Sequence, residues 1–142
     1  RYGFEFCGMV LHEYYFGNLK ANVASDKAES FKKTVAEKWG SFENWQEDFI
    51  NTGKSRSVGW AVCAVDPLTG DMNNHFIQLH EEGNIPGFHF VLVMDVWEHA
   101  YMVDHAPSGR GDYIASFFEN VDWGVVESRF KGAQKNYSSE RF

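Results

Sequence analysis

A chain of 142 residues, 44% apolar and 17% aromatic, is long enough for one domain with a real core, and its apolar runs fall short of the ~20 residues that a membrane span needs. Its net charge is -7, and Lys27, Lys32, Lys33 and Lys38 alternate with Glu29 and Glu37 as on a solvated helix face. That leaves no basic patch and argues against a nucleic-acid partner, while a small anionic substrate stays open because positive potential at a metal can outweigh the overall charge.

From about Gly8 to Asn22 the apolar residues Met9, Leu11, Tyr15, Phe16 and Leu19 predict a buried helix, with Cys7 at its start. A second helix is expected from Asp26 as N-cap, with Glu29 as its capping-box partner, through Phe31, Val35 and Trp39 to a stop at Gly40. Ser41 caps a third, carrying Phe42, Trp45 and Phe49 and ending near Gly53. The period then changes to that of strands. Val58–Val65, which includes Cys63, is one strand, followed by a turn over Asp66–Asp71. Asn73–His80 is a second, Glu81–Gly87 a loop, and Phe88–Met94 a third strand ending at Asp95. Short connections predict an antiparallel meander. Helices return over Val96–Asp104, Asp112–Asn120 and from Asp122 to about Phe130, before a loose polar tail. The fold class is therefore α+β: helices, a three-stranded antiparallel sheet, then helices. The two cysteines form no CxxC and imply no disulfide framework. With no signal peptide visible, a cytoplasmic setting is expected, although Arg1 rather than Met opens the chain and leaves room for a preceding segment.

Asp95-Val96-Trp97-Glu98-His99-Ala100-Tyr101 carries the most chemical information. A carboxylate at the end of a buried strand, with an imidazole four residues on, can aim both side chains at one metal ion; the alternative is an N-cap with an incidental histidine. Trp97 and Tyr101 can shield such a site and donate hydrogen bonds to its ligands. His12 lies on the most apolar helix, where either a metal or a backbone carbonyl can satisfy its ring. Phe16 replaces the second histidine that an H-E-x-x-H zinc motif requires. His80 can serve as ligand, as donor beside the ligands, or as a surface residue near Glu81 and Glu82. His75, His89 and His105 have no evident partners in the sequence. Glu98 is either a surface charge or an acceptor for a histidine across a subunit interface.

Taken together these segments resemble the C-terminal two-thirds of an iron/manganese superoxide dismutase. The D-V-W-E-H-A-Y string at 95–101 is complete; Asp112-Tyr113-Ile114, Asn120-Val121-Asp122-Trp123 and Ser57-Val58-Gly59-Trp60-Ala61 resemble further family segments, as does the helix around His12. The resemblance implies one iron or manganese ion per subunit, held by His12, Asp95 and His99. It places Trp60, Trp97 and Phe16 in the apolar lining and His80 as donor to metal-bound solvent. Glu98 would reach His99 of a partner subunit, and Tyr101 would stand at that interface beside the substrate funnel, with His80 and Tyr101 as the catalytic helpers. The implied activity is conversion of superoxide to dioxygen and hydrogen peroxide, an antioxidant function, in a homodimer or tetramer. Two alternatives are a dismutase-like protein that keeps fold and interface without turnover, and a zinc-dependent hydrolase. The family's first histidine ligand and gateway tyrosine lie on an N-terminal helical hairpin not included in these residues. On this reading residues 1–23 end an N-terminal helical domain, 24–130 form the α+β metal-binding domain, and 131–142 are tail. Phe16 stands where tryptophan is usual. Gly8 stands where many iron enzymes carry a glutamine, which favours His80 for the donor role.

Overall fold

A computed structural model describes residues 1–21 and 28–135. Three helices come first: α1 (Tyr2–Gly17), α2 (Glu29–Trp39) and α3 (Phe42–Gly53). Strands β1 (Gly59–Val65), β2 (Met72–Gln78) and β3 (His89–Asp95) follow, then α4 (Arg110–Glu119) and α5 (Trp123–Lys135). The α+β class stands, with an antiparallel three-stranded sheet. Among the described residues no helix is long and apolar enough to cross a membrane.

The meander does not form. The strand order is β2-β1-β3, so β1 is central and the 79–88 connection carries the chain past it to the far edge. Burial explains the choice. All seven residues of β1 are buried, whereas β2 carries the half-buried Asn73, Asn74 and His75 and the exposed Gln78. The most apolar strand takes the position covered on both edges, and the polar one takes an edge. Gly59 makes the pairing possible: at φ 155°, a Cβ there would lie 2.1 Å from the Ile77 carbonyl oxygen.

Other boundaries move as well. Helix α1 already begins at Tyr2, which puts Cys7 inside the helix, and two residues expected on its buried face, Met9 and Phe16, are 52% and 66% exposed. Ser41 caps α3 as expected, its hydroxyl accepting from Asn44 N at 3.0 Å, and Gly40 ends α2 in the left-handed conformation. The Asp26 cap lies outside the described residues; α2 opens at Glu29 after Ala28, whose side chain cannot cap. Glu127 of α5 does that work from a distance, accepting from Ser30 N (3.2 Å) and Phe31 N (2.9 Å). Helix α5 continues past Phe130 to Lys135 because Phe130 and Ala133 both bury on its inner face. No α-helix forms over Val96–Asp104, where a single 3-10 turn (Glu98–Ala100) sits among tight turns. Asp95 causes this: its Oδ1 accepts from Trp97 N at 2.8 Å and bends the chain at the strand end.

The core lies between the sheet and the helices, with Phe31, Trp45, Phe49 and Trp60 fully buried. Each such side chain contributes about 1.5–3 kcal/mol by leaving water. Asn18, also fully buried, joins three elements at the end of α1. Its Oδ1 accepts from Val93 N (3.0 Å) and Arg129 Nη1 (3.1 Å), and its Nδ2 donates to Tyr15 O (2.9 Å). Helix α1 is thereby pinned to β3 and α5.

Candidate metal centre

Helix α1, strand β3 and the turn after it each bring one ligand atom to the same place. His12, Asp95 and His99 present ring-nitrogen and carboxylate atoms that all lie within 4.8 Å of one another. Asp95 closes β3 opposite Trp60 of β1 and is 1% exposed. Its Oδ2 lies 3.0 Å from His99 Nε2 and 3.6 Å from His12 Nε2. The His12 and His99 rings stack at 5.7 Å.

The hydrogen bonds place the ring protons. His12 Nδ1 is 2.7 Å from the Gly8 carbonyl oxygen, which can only accept, so Nδ1 carries the hydrogen and Nε2 turns a lone pair to the site. His99 Nε2 faces the Asp95 carboxylate, an acceptor, and so carries a hydrogen in this arrangement. Burial pushes the Asp95 carboxyl above its ordinary range; the Trp97 N–H and the two imidazoles oppose that without cancelling it. A buried carboxylate flanked by two imidazoles, still uncomfortable as an anion, is a site that a cation would stabilise.

The walls are aromatic. Trp60 packs edge-on to His12 at 4.7 Å, and Trp97 stacks on His99 at 5.7 Å. Phe16 stacks along His12 at 6.2 Å but stays largely exposed, so in this chain it shields only one side. His80 lies just beyond β2, not within it, after Leu79 at φ 54°. Its ring centroid is 5.9 Å from that of His12, and its Nδ1 is 3.1 Å from Trp60 Nε1. Burial and then the neighbouring His12 lower the His80 pKa, with a partial offset from Glu81 and Glu5. Glu98 is exposed at the start of the 3-10 turn, beside His99.

Tyr101 is 3% exposed within this chain and stacks on Tyr113 at 5.4 Å, following the 3-10 turn that stands in place of the expected helix. With Tyr15, Lys20, His105, Tyr113 and Asn120 it lines a cavity of about 380 Å³. His75 lies away from the site on β2, its Nδ1 bonded to Asn73 and its Nε2 buried without a partner.

Three contributors escaped the sequence reading. Tyr113 was noted as part of a segment, but its hydroxyl donates to the Asp95 carbonyl at 2.7 Å and steadies the ligand's backbone. Since that bond uses its only proton, Tyr15 is the donor in the 3.0 Å Tyr15–Tyr113 contact. Asn18, which ties the His12 helix to the Asp95 strand, falls inside the helix expected to run to Asn22 and belongs to no motif. Arg110 donates to the carbonyls of Ser55, Ser57 and Val96, which clamps the chain on either side of the site. A polar residue beside an apolar run was the available signal for Asn18; its long-range partners leave no local trace.

The chain also matches a family of known proteins. Residues 27–129 match the family described as iron/manganese superoxide dismutases, C-terminal domain. The superoxide dismutase [Mn] of Haloarcula marismortui is 32% identical over 131 residues, which cover 92% of this chain and 64% of that protein. The superoxide dismutase [Fe] of Aquifex aeolicus is 33% identical over 136 residues, 96% of this chain and 63% of that protein. A superoxide dismutase [Mn] 1 of Haloferax mediterranei is 31% identical over 110 residues, 78% and 75% of the two chains. The chain spans less than two thirds of the length of the first two of these relatives.

Proposed function

The chain belongs to the iron/manganese superoxide dismutase family, and from that premise we propose that it converts superoxide to dioxygen and hydrogen peroxide at a mononuclear iron or manganese centre held by His12, Asp95 and His99. The observation that carries the reading is the convergence of two imidazoles and one buried carboxylate within 4.8 Å. Such a nitrogen/oxygen set suits iron or manganese better than a soft ion. An iron or manganese ion held there would supply the one-electron exchange, between +3 and +2, that dismutation requires.

The residues divide the remaining work. His12 already turns its Nε2 lone pair toward the site, whereas His99 must pass its ring proton from Nε2 to Nδ1 before it can ligate. Asp95 supplies the compensating charge, held by Trp97 N and, through its carbonyl, by Tyr113. Trp60 and Trp97 pack against His12 and His99, whose rings stay partly open to solvent, and His80, beside His12, can offer a ring N–H toward the site. Glu98 of a second copy is suited to accept the Nδ1 proton of His99, which makes a homodimer the simplest assembly. The reduced Cys7 and Cys63 suit a cytoplasmic setting.

Metal analysis of the purified protein, joined to a superoxide assay, tests this. Stoichiometric iron or manganese with dismutation, both lost in His99→Ala, is the expected result. Iron or manganese bound without dismutation supports the second reading, a dismutase-like protein that keeps the fold. Zinc at full occupancy with no dismutation sinks the redox reading and returns the zinc-hydrolase alternative.

A further inference from the structure

We propose that the cavity lined by Tyr101 is a binding site for a small uncharged aromatic molecule of the phenol class, a ring that carries an oxygen able to accept a hydrogen bond. The cavity holds about 380 Å³, within the roughly 300–1,000 Å³ typical of small-molecule sites. None of His12, Asp95 and His99 lines it, so its occupation needs no metal.

The tyrosine protons show what the cavity offers. Tyr15, Tyr101 and Tyr113 all line it. Tyr113 gives its hydroxyl proton to the Asp95 carbonyl at 2.7 Å, and Tyr15 gives its own to the Tyr113 oxygen at 3.0 Å. Tyr101 is different. It is 3% exposed, yet its hydroxyl meets no hydrogen-bond partner among the described residues. Nor is that hydroxyl sealed in the interior, as His75 Nε2 is. It therefore opens onto the space that Tyr101 lines, with a proton to donate. A water molecule there would sit among aromatic rings with few other partners. The oxygen of an aromatic guest takes the same proton while its ring covers the apolar walls.

Those walls suit a flat body. Tyr101 stacks on Tyr113 at 5.4 Å and Tyr15 on Phe117 at 6.2 Å, with planes 27° and 8° apart. Leu19 and Ala100 add aliphatic surface. A ring among them gains stacked or edge contacts beyond the area it buries. Charge decides the class. Lys20 and Asp104, both exposed, put opposite signs in the lining, so neither an anion nor a cation meets a one-sided field. A neutral phenol matches both the open hydroxyl and the balanced charge.

The test is titration of the full chain with phenol, followed by NMR at a pH of about 7, where a phenol stays neutral. Benzene and benzoate serve as controls. Phenol is expected to bind with a Kd of roughly 1 mM, the range open to so small a molecule. It should show contacts to the ring protons of Tyr101 and Phe117, and bind about fivefold more tightly than benzene. Benzoate should bind more weakly than phenol. Tyr101→Phe removes only a hydroxyl without a partner among the described residues, so it should fold and bind phenol and benzene alike. Ser116→Phe, on the cavity wall, should fill the space and abolish binding of both. Benzoate bound more tightly than phenol overturns the uncharged class, and a preference for phenol that survives in Tyr101→Phe overturns the role of the hydroxyl. Phenol that still binds in Ser116→Phe lies elsewhere and overturns the site. Absence of binding overturns it too, including where another segment of the protein or a second copy already fills the cavity. A chain that binds phenol but no metal ion keeps this site and fails the proposed metal centre.

Discussion

Substituting Glu127 by Gln removes a charge that no local motif announces and that the start of α2 depends on. The carboxylate accepts from Ser30 N and Phe31 N and pairs with Lys131 at 2.9 Å, with its side chain 10% exposed. Burial alone would raise its pKa; the Phe31 N–H, Lys131 and the Ser30 donors outweigh burial and bring it down to about 2, from an ordinary 4.5. A folded-state pKa below the unfolded value stabilises the protein fully above pH 4.5, and that contribution is lost as pH falls toward 2. The full shift corresponds to about 3 kcal/mol at 1.36 kcal/mol per unit. Lys131 is 59% exposed and screened, so we take about 2 kcal/mol. Glutamine keeps one acceptor but turns an NH₂ toward a backbone N–H, so about 1–2 kcal/mol should be lost at pH 7, or roughly 3–8 °C in Tm. The assay is urea denaturation of both proteins at pH 7, 4.5 and 3.5. The gap between them should hold from pH 7 to 5 and narrow by about 1 kcal/mol near pH 3.5. A gap that stays constant to pH 3.5, or no gap at pH 7, refutes the trans-capping role.

Other outcomes follow from the same reasoning. Asp95→Asn should leave the metal-free protein as stable or more so, because it removes a buried carboxylate whose ionisation burial already opposes. The same variant should abolish the rise in Tm on adding manganese, a rise worth about 2.7 kcal/mol at 100 times Kd, and differential scanning calorimetry reads both effects. Asn18→Ala should cost about 2–3 kcal/mol in chemical denaturation, since it strands Val93 N–H in the interior and removes a partner of Arg129. His75 is half-buried, and burial lowers its pKa below 6.5. Its neutral form therefore stabilises the fold above pH 6.5, and stability should fall as pH drops below that value. His75→Leu should flatten the pH dependence of Tm between pH 7.5 and 5.5, a loss of slope that an unchanged profile would contradict.

What the sequence made legible was chemistry carried by short segments. Asp95 and His99 lie four residues apart on one strand end and turn, so their convergence is local, and the aromatics around them were in plain sight. His12 needed the fold to reach them, and only its apolar helix hinted at burial. The failures share a cause. The strand order depends on competition between β1 and β2 for the centre, which alternation within each strand does not report. Val96–Asp104 has residues that a helix tolerates, but Asp95 spends its own carboxylate oxygen on Trp97 N and starts a turn instead. The cap of α2 was sought nearby in sequence and comes from Glu127, nearly a hundred residues on.

A metal site divided between a helix and a strand end raises the question of what keeps its halves in register, since α1 and β3 share no ladder. Packing alone allows sliding by a fraction of a turn, which would carry His12 past Asp95. Asn18 opposes it. It sits at the C-cap of α1, and its Oδ1 takes the amide of Val93, two residues before Asp95. Arg129 holds the same oxygen and also donates to the Tyr14 carbonyl from α5. On the strand side, Tyr113 fixes the Asp95 carbonyl and Arg110 the Val96 carbonyl, so both peptides after the sheet are anchored. Each tie is a buried or half-buried hydrogen bond with a directional optimum near 3 Å. Such bonds resist sliding far more sharply than dispersion between apolar side chains, whose energy varies little with small shifts. The polar residues that looked incidental in the sequence are thus the ones that hold the ligand separation, while the apolar residues, easily recognised, supply cohesion without register.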